Sequence, residues 1–149
     1  MSKASTLAER LSDRIAQITI ANGYLTNIGA KVFRGKGKLD ENDLPCTVLV
    51  EGEERIDDSS EIQYKARARF TFEGHDACDP DHPNDKAHMI IADLKRAIFD
   101  GDRTFGGMIR PRIGLRYAGR RIATRDDGAR IIAASIDIDC EVAEDLTQP

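Results

Sequence analysis

Between residues 61 and 73 the chain alternates strictly. Ile62, Tyr64, Ala66, Ala68, Phe70 and Phe72 share one parity, and Gln63, Lys65, Arg67, Arg69 and Thr71 share the other. A period of two over that length predicts a β-strand with one apolar and one wet face. A second stretch answers it near the C-terminus, where Ile132, Ala134, Ile136, Ile138, Cys140 and Val142 alternate with Ile131, Ala133, Ser135, Asp137, Asp139 and Glu141. The wet side of the first is basic and that of the second acidic. Opposite charges facing each other across a strand pair contribute roughly 0.2–1 kcal/mol each. The two segments are therefore expected to be antiparallel neighbours at the centre of a sheet with one solvated face.

Helical spacing appears twice. Leu7, Leu11, Ile15 and Ile18 predict an amphipathic helix over residues 3–20, capped by Ser5 or Thr6 and stopped at Asn22-Gly23. Ala87, Ile91, Leu94 and Ile98, widened by Ile90, Ala97 and Phe99, predict a second over 84–100 with Asn84 or Asp85 as its cap. Lys86, Asp93, Lys95 and Arg96 are expected to face water, and Gly101 to close the helix. Shorter strands are expected at 29–33 and 46–50. Two more, 113–118 and 121–124, are expected to form a hairpin about Gly119-Arg120.

Between these elements lie expected loops: a basic turn at 34–38, an acidic mobile loop at 51–60, a Pro-rich loop at 75–84 and a turn at Asp126-Asp127-Gly128. A break in the long strand is expected at Gly74, and a frayed tail from about residue 144. The order predicts one α+β domain over 1–149, a mainly antiparallel β-sheet with two helices packed on one face.

Composition narrows the classes. With 149 residues, 32% charged, 5% aromatic, no Trp and a net charge of −4, the chain has a polar surface over a modest aliphatic core. That charge argues against sequence-specific nucleic-acid binding, which needs a basic face. No run of 18 apolar residues predicts a membrane span. The N-terminus lacks the apolar core of a secretory signal, so the expectation is a protein that stays on the cytosolic side. Cys46, Cys78 and Cys140 are odd in number and widely spaced, which predicts reduced thiols, with Cys46 and Cys140 in the core.

Candidate chemistry is sparse. His75, Asp76, Cys78, Asp79, Asp81, His82 and His88 form the one cluster of metal-type ligands, and it carries the rival reading of a metal-dependent hydrolase. Neither a helical H-E-x-x-H pair nor a Cys-x-x-Cys knuckle accompanies it. Asp79-Pro80-Asp81-His82 lacks the spacing of a calcium loop. Gly35-x-Gly37 and Gly106-Gly107 are expected to be turns, since neither continues as a phosphate loop. No Ser or Cys has a positioned base visible in sequence. The expectation is a protein that is not an enzyme and needs no cofactor.

Charge is instead segregated along the chain. The candidate interaction residues are Arg34, Lys36 and Lys38 in the basic turn, Glu51, Glu53, Glu54, Asp57 and Asp58 in the acidic run, and Arg120 and Arg121. Separated patches of opposite sign suit a head-to-tail contact between identical copies, since complementary charge selects the correct neighbour.

The assembled order resembles the bacteriophage tail terminators, small tail-completion proteins. The resemblance covers about residues 5–142. It rests on an N-terminal helix, then ITIANGYLTNIGAKVFRG, in which an Asn-Gly-Tyr turn leads to a Gly-x-x-Val-x-x-Gly strand, then LPCTVLV and the long alternating strand. An Asp-Pro-x-x-Pro loop follows into the helix KAHMIIADLKRAIF, and the chain closes on IIAASIDIDCEV. Residues 34–42 and 110–128 match nothing in detail. The resemblance implies a homo-oligomeric ring, a hexamer. Such a ring would bind the last ring of the major tail tube protein, stop tube growth and offer its other face to a head-completion protein. It implies a place in the virion tail, at the head-proximal end, after assembly in the host cytoplasm. Another head–tail joining protein or a tail tube component is the neighbouring alternative.

Overall fold

The computed structural model describes residues 1–35, 37–123 and 128–149. Among the described residues two α-helices and five strands follow one another: α1 (Lys3–Ile15), β1 (Val32–Arg34), β2 (Cys46–Ser59), β3 (Gln63–Ala77), α2 (Pro83–Phe99), β4 (Leu115–Ile122) and β5 (Ile131–Asp145). The strands form one sheet in the order β1-β2-β3-β5-β4, antiparallel except for the β1–β2 pair. This is the expected α+β class. Among the described residues no helix is long and apolar enough to cross a membrane.

β3 and β5 are the antiparallel neighbours that their alternation predicts, with Phe70 opposite Ile138 and Phe72 opposite Ile136. Their apolar parity packs against both helices. Leu7, Leu11 and Ile15 from α1, and Ile90, Leu94 and Ile98 from α2, meet Phe72, Ile132 and Ile136 in one core. Cys46 and Cys140 are buried thiols in no disulfide, and Cys78 is half-buried. Burial pushes the Cys140 thiol up to about 12, so it packs as a small apolar side chain.

Several boundaries differ from the periodicity, each for a physical reason. Helix α1 starts on Ser2, whose Oγ accepts from the Ser5 amide, rather than on Ser5 or Thr6. It ends at Ile15 instead of residue 20. A run of β-branched residues follows (Ile18, Thr19, Ile20), stiff at χ1 and poor in helix. The Ile18 carbonyl accepts from the Gly29 amide instead of continuing the helix. Ile18 is still fully buried, so the apolar spacing outlives the helix that it predicts. Gly23 does adopt the left-handed conformation (φ 89°), but it caps a short 3-10 turn.

Gly74 does not break β3. A Cβ there would lie 2.5 Å from Ile90 Cγ2, so the glycine lets α2 approach the sheet while the strand runs on to Ala77. The Pro-rich segment is correspondingly shorter, and α2 begins at Pro83 with His82 at its cap position, not Asn84 or Asp85. Asp93 is buried rather than facing water. The expected hairpin at 113–124 is a single strand, β4. Its pairing with β5 skips one residue between Tyr117 and Gly119, so Gly119 (φ 122°) marks a bulge and not a turn. Thr124 and the expected turn at Asp126-Asp127 lie outside the described residues. The tail frays later than expected, since β5 reaches Asp145 and the Leu146 amide donates to Ile62 O.

Candidate functional site

The largest departure from the sequence reading falls on the acidic run. Residues 51–59 are strand, not loop, and continue β2 beside β3. One-sided pairing supplies the backbone hydrogen bonds that an acidic segment of low β-propensity would not secure alone. Asp58 stands opposite Lys65, and Asp57, in a bulge, accepts from Arg67 Nε at 2.9 Å. A second bulge falls between Glu51 and Glu54. Every residue from 50 to 59 is exposed.

This strand sorts the candidate carboxylates onto different faces. Glu53 lines a groove of about 590 Å³ on the open face of the sheet, with Arg55, Arg67, Arg69, Arg121 and Asp139. Glu54 lies on the helix side, beside Leu7, Ala68 and Phe70. Glu51 shares that side, since it is opposite Phe70. On the same side Tyr64 donates to Glu144 Oε2 at 2.7 Å, and the Glu144 and Glu54 carboxylates push its phenol well above the usual range.

The basic candidates are sorted too. Arg121 is opposite Ser135, on the open face, whereas Arg120 is opposite Ile136, on the helix side. Arg120 donates there to His88 Nδ1 at 3.1 Å. Adjacent in sequence, the two arginines are therefore not one patch. Arg34 ends β1, and Lys38 is exposed in the segment after it. Lys36 lies outside the described residues.

The open face is a charge ladder. Arg69 binds Asp139 through two hydrogen bonds, Nε to Oδ1 at 2.8 Å and Nη2 to Oδ2 at 3.0 Å. Thr71 donates to Asp137 at 2.6 Å, and Glu141 turns to Arg110 at 3.1 Å, away from its cross-strand neighbour Arg67. The Arg69 guanidinium holds the Asp139 carboxyl below its ordinary 3.8. A carboxylate so depressed stabilises the fold above its unfolded value, and the contribution is lost as pH falls through its folded value. Asp139→Asn is thus expected to lower stability at neutral pH by up to about 1 kcal/mol, the ordinary limit for a half-exposed pair. The gap from the unsubstituted chain should close as denaturation is followed down to about pH 2. A gap independent of pH would refute this account of the ladder.

The histidines of the rival hydrolase reading point to separate partners. His75 Nε2 lies 2.7 Å from Glu73 Oε1, His82 sits at the cap position of α2 without a side-chain capping bond, and His88 meets Arg120. The hydrogen bond from His75, then its charge and that of Arg121, keep the Glu73 carboxyl below its usual range. Among the described residues, no group of three or more His, Cys, Asp or Glu converges to hold a metal ion.

Sequence reasoning missed Arg55, Arg67, Arg69 and Arg116. Arg67 and Arg69 already stood on the wet parity of the central strand. Arg116 became legible only when its register opposite Asp139 placed it on the open face.

No family model and no curated protein matches the chain. Among solved structures, one similar chain belongs to a structure described as "Virion of native gene transfer agent (GTA) particle". It aligns over 78% of this chain and 81% of its own, with a TM-score of 0.41 and 14% identity. A superposition of that quality identifies neither a shared function nor a shared partner.

Proposed function

We propose that this chain is a non-enzymatic subunit that closes into a ring and caps a phage tail tube as its terminator. The observation that carries this reading is the segregation of opposite charge onto the two flanks of one sheet. The carboxylates of β2 lie on one side and the arginines of β4 on the other. A head-to-tail contact needs unlike patches on the two sides of each subunit, and a ring results when the rotation between copies closes. The resemblance of the sequence pattern to tail terminators supports the specific role.

Capping follows from asymmetry. One face of the ring binds the last tube ring, and the opposite face lacks the surface that would recruit another, so growth stops and a head-completion protein can dock. The interacting residues are charged, with exposed Arg34 and Lys38 on one approach and the exposed β2 carboxylates on another; Lys36, between the first two in sequence, lies outside the described residues. No cofactor is required. Electron microscopy of lysates lacking this protein should show overlong tails without heads. Tails of normal length joined to heads would refute the terminator role.

A further inference from the structure

The sheet ends on two strand edges that nothing in the described chain pairs. β1 covers β2 only from Thr47 to Leu49, and the Gly35 amide bonds Leu49 O, so residues 50–59 keep one row of backbone groups open. At the opposite end, among the described strands β4 pairs with β5 alone. An open strand edge is a template for another strand.

These edges are chemically unlike. Residues 51–59 carry five carboxylates (Glu51, Glu53, Glu54, Asp57 and Asp58) against one arginine, Arg55. β4 carries Arg116, Arg120 and Arg121 and no carboxylate. Pairing β2 with β2 would set carboxylates against carboxylates, and β4 with β4 would set arginines against arginines. Only the unlike combination is attractive, so repulsion removes the two symmetric pairings. On the helix side each edge offers one large exposed apolar residue, Ile56 opposite Ala66 and Tyr117 opposite Ile138.

We propose that copies of this chain join by sheet augmentation, the β4 edge of one adding to residues 50–59 of β2 in the next. The direction of the joint follows from the topology. β2, β3, β5 and β4 are each antiparallel to the next, so β4 runs opposite to β2. A neighbour rotated about an axis along the strands keeps its own β2 direction, which makes the joint antiparallel. The sheet is then continuous from copy to copy. The joint deepens the ring reading above and rests on it for closure.

The test uses the full chain and light scattering after gel filtration. One variant carries Arg116→Glu and Arg121→Glu, and another carries Glu53→Arg and Asp58→Arg. Each alone is expected to fall from the ring to the monomer, because like charges then meet along the open face of every joint. An equal mixture is expected to regain the original mass, since alternating copies restore unlike edges all round a ring of six. Variants that keep the ring would overturn this joint and leave the ring reading standing. A folded pair that stays monomeric when mixed would also overturn it. An unsubstituted chain that is monomeric at high concentration would take both down. Hydrogen exchange on the unsubstituted chain gives a check that no folding defect can confuse. In the ring, outward amides of 50–59 and 115–122 should exchange about tenfold or more slowly than in dilute monomer. Edges left unprotected in an intact ring would overturn the proposal.

Discussion

Asp93→Ala is expected to destabilise the protein by about 3–5 kcal/mol, with on the order of 1–3 kcal/mol for each donor left without a partner. The carboxylate is 2% exposed in the middle of α2. It accepts from the Leu25 amide at 3.0 and 3.1 Å, the Thr26 amide at 2.7 Å and the Thr26 hydroxyl at 2.6 Å. Thr26 is itself buried, so water cannot replace the lost acceptor without opening the loop. The side chain therefore pins the segment between α1 and β1 onto the second helix. Asp93→Asn keeps the shape but turns one oxygen into a donor facing donors, and a loss of about 2 kcal/mol is expected. Urea denaturation of both variants measures these losses. A change under about 1 kcal/mol for the alanine variant would show that the segment is held otherwise.

Gly29→Ala is expected to cost about 3 kcal/mol, the upper end of ordinary overpacking. A Cβ at this position would lie 2.7 Å from Ile18 O and 2.8 Å from Ile18 N, and nearer still to Ile15 O. All three are backbone atoms, at the last residue of α1 and in the turn just past it, so no rotamer change relieves the clash. The loop must lift away, breaking the 2.9 Å bond from the Gly29 amide to Ile18 O and uncovering Ile28, which is fully buried. For a chain of this size each kcal/mol moves the melting temperature by roughly 2–4 °C. Thermal unfolding should register the loss, and an unchanged melting temperature would show that the loop can give way. Gly23→Ala in the preceding turn is a useful contrast. Nothing lies within 4 Å of a Cβ there, and only the strain of φ 89° opposes the substitution.

Both positions sit in one small region where α1 ends, the chain turns and α2 lies across it. The same region orients β1 beside the first residues of β2. Because β1 is short, most of the β2 edge stays uncovered. The open flank that the proposed ring uses thus depends on how early the chain leaves the sheet after Arg34. A longer β1 would have closed that edge, and the carboxylates beyond Val50 would have faced a strand of their own chain.

The central pair of strands was legible because alternation, charge and length all agreed. Ile136 and Phe72 on one parity, and Arg69 and Asp139 on the other, admit one register once the turns are placed. The second helix was legible from its apolar stripe. The acidic strand was not, because Glu and Asp disfavour strands locally and only β3, already in place, supplies the compensating bonds. Asp93 escaped for a similar reason. On the helix it is one more polar residue among Lys86, Lys95 and Arg96, and its partners come from about 67 positions away.

The chain's own pattern, then, determined the class of fold, the two strands at its centre and the apolar faces that bury them. These follow from periods of two and of about three and a half acting within a single segment. Which charges share a surface was decided only in three dimensions. Bulges at 52–53 and 57 in β2 and at Ala118 in β4 reset the parity, so Glu51 and Glu54, three apart, share the helix side, and Arg116 and Arg121, five apart, share the open face. A one-residue offset reverses a strand's faces, and the pairing partner sets that offset, so no local reading of the segment contains it.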